Sequence, residues 1–359
     1  MIVIDILGQE ANVSKEQDRI QPSSRIDIRI SSRVIAENEE RALSSRKDHF
    51  LITGSTGFVG THVCDILNET GQRYSTISHS NLLKPDHKVR ELIEKSDAII
   101  YLAGLAHRMD LQGDKHASLY TQANVVAPGL VAHIARKAGL RRFVYVSTVK
   151  VHGETSGSSG FKAGDPMNPS GVYAESKSRG ELALASELHG SSTELIVVRP
   201  PLVYGAGVRG NLLRLMNLIR KGWPLPFGGC HGIRSLISAS NLAAFLIHLA
   251  SCSPLKLASG LLAVDSSIAR NHSYYAFLPS DLDVSTSDLL GRIIELMGSK
   301  SKLIKVPSLL FRPTPFYSRM VASLRVDSST ARGTGWKNRV TPDEGLKDMV
   351  TSFLAHESP

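Results

Sequence analysis

The sequence is poor in cysteine, in long apolar runs and in clustered positive charge, and each shortage argues against a class of protein. Three cysteines in 359 residues, Cys64, Cys230 and Cys252, are too few for a disulfide framework and have no metal-ligand spacing. We therefore expect a reducing compartment and no metal site. No run of about 18 apolar residues is present, so membrane insertion is not expected.

Two further shortages concern targeting and charge. The opening stretch MIVIDILG has no basic residue before its apolar core, unlike a secretory signal peptide. The formal net charge is +9, but the basic residues are scattered and form no long Lys/Arg run. The charge therefore suits an anionic small molecule as well as nucleic acid. We expect a soluble cytoplasmic protein without a nucleic-acid partner.

The pattern of apolar residues divides the chain into three parts. Residues 1–48 are charged, have no helical period and are predicted to form a flexible extension. From residue 49 to residue 200, apolar strands alternate with helix-length segments, which predicts a doubly wound parallel α/β sheet of the Rossmann type. The predicted strands lie in FLIT, in residues 74–77, and in DAIIYLAG, RFVYVST and ELIVVRP; the predicted helices are 58–67, 117–138 and 173–188.

After residue 200 the alternation ends. Amphipathic helices and short strands near Leu236 and Leu303 predict a smaller C-terminal α/β lobe over residues 201–359. The predicted helices of this lobe are 211–222, 240–250, 286–298 and 341–355. Such a lobe would lie over the carboxyl ends of the strands, where open α/β sheets bind ligands.

A glycine turn follows the first predicted strand in GSTGFVG. Gly54 permits a tight turn, Gly57 lets the backbone approach a pyrophosphate, and Gly60 lets the helix pack closely on the strand. The alternative is a plain strand-to-helix turn. The second strand ends in Ser78 and His79 without a carboxylate for a ribose 2′-hydroxyl, which favours NADP over NAD.

Three polar residues form a candidate catalytic set. Tyr173 and Lys177 are four residues apart on a predicted helix and so share one face. The ammonium is expected to lower the pKa of the tyrosine, which would then exchange a proton with a carbinol or carbonyl oxygen. Thr148, at the end of the fourth strand, is suited to bind the same oxygen. Taken alone, such a Tyr–Lys pair is usually an ordinary solvated helix face.

Five motifs, in the order TGSTGFVG, YLAGLAH, RFVYVSTVKVHGE, YAESK and RPPLVYGAG, resemble the extended short-chain dehydrogenase/reductase family of nucleotide-sugar epimerases and dehydratases. The likeness is strongest to bacterial UDP-N-acetylhexosamine 4-epimerases and UDP-4-keto-sugar reductases. It implies a Rossmann domain that binds NAD or NADP, a lobe that binds a UDP-sugar, and a homodimer formed through helices 117–138 and 173–188.

The resemblance also implies roles for individual residues. The catalytic residues would be Thr148, Tyr173 and Lys177. The substrate would contact Thr148, Asn211 and Arg234. The cofactor would contact Gly54, Gly57, Phe58, Val59, Gly60, Ser78, His79, Leu102, Ala103, Gly104, Asn124, Ser147, Tyr173, Lys177 and Pro200.

The residues after Thr148 bear on the reaction. Sugar 4,6-dehydratases of this family carry Asp-Glu there, whereas this chain has Val149 and Lys150, so dehydration is not expected. The predicted reaction is reduction of a UDP-2-acetamido-2,6-dideoxy-4-keto-hexose for a surface polysaccharide. The alternatives are a UDP-glucose or UDP-N-acetylglucosamine 4-epimerase and a non-catalytic NADP sensor. Glu154 fits either a substrate contact or a loop cap.

Overall fold

A computed structural model describes residues 48–106, 114–253, 274–306 and 322–355. The chain divides into two units, residues 1–47 and 48–359, and all the described residues belong to the second. The predicted extension therefore lies almost wholly outside the described residues. Within the described residues, no helix is both long and apolar enough to cross a membrane.

The main sheet has six parallel strands in the order β2-β1-β3-β4-β5-β8. Because the chain moves outward from β1 in both directions, the order reverses between β1 and β3, where open α/β sheets bind ligands. This confirms the predicted Rossmann-type fold. The strands are β1 (His49–Thr53), β2 (Arg73–Ile77), β3 (Ala98–Tyr101), β4 (Arg142–Val146), β5 (Glu194–Val198) and β8 (Tyr274–Phe277).

Helices cover both faces of this sheet. The described helices are α1 (Phe58–Glu69), α2 (His79–Leu82), α3 (His87–Glu94), α4 (Asp114–Thr121), α5 (Ala127–Ala138), α6 (Val172–Glu187), α7 (Asn211–Arg220), α8 (Ala239–Ser251), α9 (Thr286–Leu296), α10 (Ser329–Gly333) and α11 (Pro342–Ala355). Neighbouring strand residues point to opposite faces, so Leu51 packs in the core beneath α3, α5 and α6, and Ile52 in the core beneath α1 and α8.

A second, three-stranded sheet lies in the C-terminal half, in the order β6-β7-β9. Its strands are β6 (Leu202–Tyr204), β7 (Ile233–Ser238) and β9 (Leu282–Ser285), and α7, α9 and α11 pack on it in a third core. Leu303 forms a single bridge with Leu225. β8 belongs to the main sheet and α8 packs on it, although both follow residue 200. The domain division at residue 200 stays a prediction.

The predicted single helix over 117–138 is wrong in one respect. A π-helical turn, Gln122–Val126, separates α4 from α5. Pro128 has no N–H to donate to the carbonyl of Asn124 four residues earlier, and the N–H of Ala127 donates to Gln122 five residues earlier. The freed Asn124 carbonyl accepts a hydrogen bond from the Tyr145 hydroxyl at 3.1 Å.

Candidate active site

The glycine turn joins β1 to α1 at the point where the strand order reverses. Gly54 has a φ of +70°, and its carbonyl accepts a hydrogen bond from the N–H of Gly57 at 2.9 Å. A Cβ on Gly60 would lie 2.1 Å from that carbonyl oxygen, so α1 approaches the turn as closely as the sequence predicts. The first turn of α1 has no acidic residue and no side-chain cap, which suits a bound phosphate.

The segment after β3 forms the opposite wall of this turn. The side-chain oxygen of Thr53 accepts hydrogen bonds from the N–H groups of Leu102 and Ala103 at 3.2 and 3.1 Å. A Cβ on Gly54 would lie 2.8 Å from the Ala103 nitrogen. Only glycine at residue 54 therefore allows the two loops to approach this closely.

Gly104 marks the meeting point of three elements. A Cβ on Gly104 would lie 2.7 Å from Oδ1 of Asn124 and 3.2 Å from Nζ of Lys177. Asn124 is fully buried; its Oδ1 accepts from the N–H of Leu105 at 2.9 Å and its Nδ2 donates to the hydroxyl of Ser176 at 2.9 Å. Asn124 thus fastens the loop after β3 to α6, which carries Tyr173 and Lys177.

The end of β4 contributes the serine and threonine. Ser147 is buried, and its hydroxyl has no hydrogen-bond partner among the described residues. Thr148 begins a 3₁₀ turn, Val149–Val151, and its side-chain oxygen accepts from the N–H of Lys150 at 3.3 Å. The carbonyl of Pro200 accepts from the N–H of Val149 at 3.0 Å, which places Pro200 beside this turn.

Tyr173 and Lys177 lie on α6 against these residues. The side chain of Thr148 lies close enough to the hydroxyl of Tyr173 to act on its pKa. Nζ of Lys177 donates to the carbonyl of Val146 at 2.8 Å and lies 4.7 Å from the ring centre of Tyr145. The two candidate catalytic residues of α6 and Thr148 are therefore brought together.

Burial sets the protonation of both side chains. It lowers the pKa of Lys177 to about 8, although the carboxylate of Glu181 opposes this. Burial also raises the pKa of Tyr173 to about 12, although the hydrogen bond from Thr148 opposes this. The expected lowering of the tyrosine pKa by the lysine is wrong in this structure, because desolvation dominates and the ammonium is directed to Val146 and Tyr145.

The remaining predicted cofactor residues lie around the same edge of the sheet. Phe58 and Val59 form the first turn of α1. Ser78 directly follows β2, is exposed and shares a hydrogen bond with Ser80 at 3.0 Å, and His79 begins α2. No acidic residue occurs in the sequence between β2 and Asp86, so no carboxylate directly after β2 is available for a ribose 2′-hydroxyl.

These features fit a dinucleotide. The open helix N-terminus and the cradle of Gly54 and Gly60 suit a pyrophosphate. Gly104 leaves open space next to Nζ of Lys177, and the buried hydroxyl of Ser147 has no hydrogen-bond partner among the described residues. A nicotinamide at this place would supply or accept a hydride next to the Tyr173 hydroxyl.

Comparisons with known proteins identify the family. Residues 50–253 match the model of the NAD-dependent epimerase/dehydratase family. The chain belongs to this family. A UDP-glucose 4-epimerase of Vibrio cholerae is 31% identical over 85% of this chain and 95% of its own length. An N-acetyl-alpha-D-glucosaminyl-diphospho-ditrans,octacis-undecaprenol 4-epimerase of Escherichia coli O157:H7 is 26% identical over 55% of this chain and 62% of its own.

Solved structures share the fold. MoeE5 in complex with UDP-glucuronic acid and NAD superposes with a TM-score of 0.67, covering 86% of this chain and all of that one at 18% identity. MoeE5 in complex with UDP-glucose and NAD gives a TM-score of 0.65. The family membership makes this chain an enzyme of the extended short-chain dehydrogenase/reductase type, in a family described as NAD-dependent.

The predicted substrate residues occupy the C-terminal half. Asn211 begins α7 and is exposed. Arg234 lies in β7, where its guanidinium donates to the carbonyl of Ala322 at 3.4 Å and burial lowers its pKa. Glu154 lies close enough to oppose that lowering.

Sequence reasoning missed the residues that hold the site from behind. Tyr145 supports both Lys177 and the Asn124 carbonyl, and Glu181 forms a buried ion pair with Arg199 at 2.7 Å. Tyr145 reads in the sequence as one more apolar strand residue. The available signal in the sequence was Gly180, a glycine inside a predicted helix, which indicates a close contact. A Cβ there would lie 2.2 Å from the Asn124 carbonyl oxygen.

Proposed function

We propose that this family member exchanges a hydride at C4 of a UDP-hexose, most directly by reducing a UDP-2-acetamido-2,6-dideoxy-4-keto-hexose. The observation that carries the proposal is that Thr148 lies close to the hydroxyl of Tyr173, on the helix that also carries Lys177. A 4-keto oxygen at this place would be held by Thr148 and protonated by Tyr173, while the nicotinamide supplies the hydride to C4. The ketone becomes a secondary alcohol.

The protonation of Tyr173 supports the reductive direction. Because burial raises its pKa to about 12, the tyrosine carries its proton at neutral pH. A proton is what the developing alkoxide needs. Lys177, whose pKa is lowered to about 8, remains largely an ammonium at neutral pH, and it is held by the carbonyl of Val146.

The end of β2 supports NADP as the cofactor. Ser78 and Ser80 offer hydroxyl groups at the position where a carboxylate would bind a ribose 2′-hydroxyl. A carboxylate would also repel a 2′-phosphate. A reductase that draws on a pool of reduced cofactor fits this arrangement.

A 4-epimerase is the second candidate, because the Vibrio cholerae relative bears that name and covers 95% of its own length here. Its chemistry uses the same side chains and returns the hydride to the other face of the sugar. Dehydration is disfavoured, because Val149 is buried at 2% exposure and Lys150 is paired with Glu154. A non-catalytic NADP sensor would have no need of the Thr148, Tyr173 and Lys177 arrangement.

The proposal includes a homodimer formed through α5 and α6. Both helices expose large apolar side chains, Leu130 at 38% and Leu182 at 46%. Pairing of these helices with those of a second copy would bury the leucines, and about 25 cal/mol is gained for each Å² of apolar surface removed from water.

The test supplies NADPH or NADH, in parallel, with the 4-keto product that a 4,6-dehydratase makes from UDP-N-acetylglucosamine. Stoichiometric loss of reduced cofactor and formation of a 6-deoxy sugar nucleotide supports the reductase. Interconversion of UDP-N-acetylglucosamine and its galacto isomer without added reductant would assign the epimerase instead. Absence of both reactions, together with binding of the cofactor, would favour the non-catalytic sensor.

A further inference from the structure

A pair of opposite charges lies in the loop that follows Thr148 and has no role in the proposed proton transfer. Nζ of Lys150 is 3.1 and 3.3 Å from the two carboxylate oxygens of Glu154. Their side chains are 26% and 23% exposed, so both are largely withdrawn from water. An ion pair so close to a reacting centre influences any charged substituent of the substrate.

The backbone fixes this pair relative to Thr148. The N–H of Lys150 is bonded to the Thr148 side chain, and Val149 and Val151 on either side are buried in the protein at 2% and 0% exposure. The buried side chains of Val149 and Val151 fix the backbone at Lys150, whose own side chain is partly exposed. Gly153, with a φ of +140°, lets the chain turn so that Glu154 returns to Lys150.

Glu154 also influences the predicted diphosphate-binding residue, Arg234. Its carboxylate acts on the guanidinium of Arg234, as the opposed pKa shift shows. The strand segment around Leu324 holds the two parts together: Leu324 pairs with β7, and Ser323 accepts from the N–H of Ser156 at 2.9 Å. One carboxylate is therefore paired with Lys150 and also acts on Arg234.

A bound UDP-hexose would run along this line. If Arg234 holds the diphosphate and Thr148 holds the C4 oxygen, the hexose ring lies between them, beside Lys150 and Glu154. C6 is attached to C5, the neighbour of C4, and it is the position at which hexoses and hexuronates differ in charge. The fold itself accepts both, because MoeE5 has been solved with UDP-glucose and with UDP-glucuronic acid.

We propose that the Lys150–Glu154 pair makes this enzyme select UDP-hexoses with an uncharged C6 group and reject UDP-hexuronates. The inference rests on the proposed function. A C6 carboxylate would lie near the Glu154 carboxylate. Two like charges close together in a largely buried site repel each other strongly. The C6 carboxylate would gain Lys150 only by breaking the existing pair, which would leave Glu154 without that partner. A hydroxymethyl or methyl group requires neither change.

Two substitutions move the selectivity in opposite directions. Glu154→Gln removes the repelling charge and leaves the Lys150 ammonium beside C6, so binding of a hexuronate should strengthen. Lys150→Met leaves the Glu154 carboxylate without its neighbouring ammonium, so discrimination against a hexuronate should increase. Loss of a merely structural contact would weaken both ligands equally in both variants.

The experiment measures the dissociation constants of UDP-glucose and UDP-glucuronic acid by calorimetry, with NAD or NADP present. We expect the wild type to prefer UDP-glucose at least about tenfold, equivalent to about 1.4 kcal/mol. Glu154→Gln should abolish this preference and Lys150→Met should enlarge it. Glu154→Asp, which keeps the charge, should retain it. Glu91→Gln is the matched control, since Glu91 forms an ion pair with Lys95 at the same spacing but on an exposed helix.

The outcomes separate the two proposals. Binding of neither nucleotide by the wild type, with the fold intact by thermal unfolding, would end the proposed function and this inference with it. Equal affinity of the wild type for both nucleotides would overturn the selectivity alone. Parallel shifts for both ligands in Glu154→Gln and Lys150→Met would also overturn it.

Discussion

Gly180→Ala is predicted to disturb the site from outside it. Gly180 lies in α6, one turn after Lys177, where α6 crosses the π-helical turn. A Cβ at residue 180 would lie 2.2 Å from the carbonyl oxygen of Asn124 and 2.8 Å from the hydroxyl of Tyr145. Real Cβ atoms do not approach backbone oxygen this closely, so α6 and the turn must move apart by about 1 Å.

The expected magnitude is the balance of two effects. Alanine in a helix interior is favoured over glycine by about 0.5–1 kcal/mol. Overpacking of a dense core costs about 1–3 kcal/mol, and each strained hydrogen bond of Asn124 and Tyr145 adds about 1 kcal/mol. We therefore expect a net loss of about 1–3 kcal/mol in the free energy of unfolding, together with weaker cofactor binding, because Lys177 moves with α6.

Gly129→Ala is the matched control, since Gly129 also lies inside a helix, α5, and a Cβ there would meet nothing within 4 Å. It should stabilise the protein by up to about 1 kcal/mol. Urea unfolding and titration with NADPH on both variants give the comparison. If Gly180→Ala proves as stable as Gly129→Ala and binds cofactor normally, the close crossing of α6 and the π-helical turn is incorrect.

Three further predictions concern buried charge and assembly. Lys177 has a folded pKa of about 8 against 10.5 in the unfolded chain, so the unfolded state binds more protons between these values and stability rises with pH there. The wild type should therefore gain about 2 kcal/mol over Lys177→Met between pH 8 and pH 10 in denaturant titrations, and a constant difference would contradict the burial of this charge. Glu181→Gln should cost about 3–5 kcal/mol, because it leaves the Arg199 guanidinium buried and unpaired; an effect below about 1 kcal/mol in urea unfolding would refute this. Leu130→Glu combined with Leu182→Glu should convert a dimer to a monomer in light scattering, and an unchanged dimer would place the interface elsewhere.

Much of the main sheet could be predicted because its signals are local. FLIT, DAIIYLAG and ELIVVRP are short apolar runs bounded by turn residues, and each is a parallel strand buried on both faces. The edge strand Tyr274–Phe277 was missed, because its pairing with β5 links segments far apart in the sequence. Nothing in the local pattern of YYAF distinguishes a sheet strand from a loop.

The sequence could nominate site residues, but it could not predict their electrostatics. Spacing placed Tyr173 and Lys177 on one helix face, and the structure adds Thr148 to them. The direction of the Tyr173 pKa depends on burial and on where the lysine ammonium points, which a residue pattern does not contain. The π-helical turn was missed for a related reason, since Pro128 is tolerated at the start of a helix and its effect falls on the Asn124 carbonyl.

The Lys150–Glu154 pair is another feature that the residue pattern alone does not predict. A spacing of four suggests a helical pair, yet the two residues are joined by a 3₁₀ turn and by Gly153 in a left-handed conformation. The loop after Glu154 is held by a hydrogen bond from the N–H of Ser156 to the carbonyl of Ser323, a contact between segments far apart in the sequence. The sequence left Glu154 open between a substrate contact and a loop cap.

The most direct test of the proposed proton transfer compares the wild type with Tyr173→Phe in the ketoreductase assay, with NADPH binding measured on both. The proposal predicts that Tyr173→Phe binds the cofactor normally and loses about 10²–10⁴-fold in turnover, because only the proton donor is removed. Turnover within a few-fold of the wild type, with cofactor binding intact, would contradict the assignment of Tyr173 as the group that protonates the sugar oxygen.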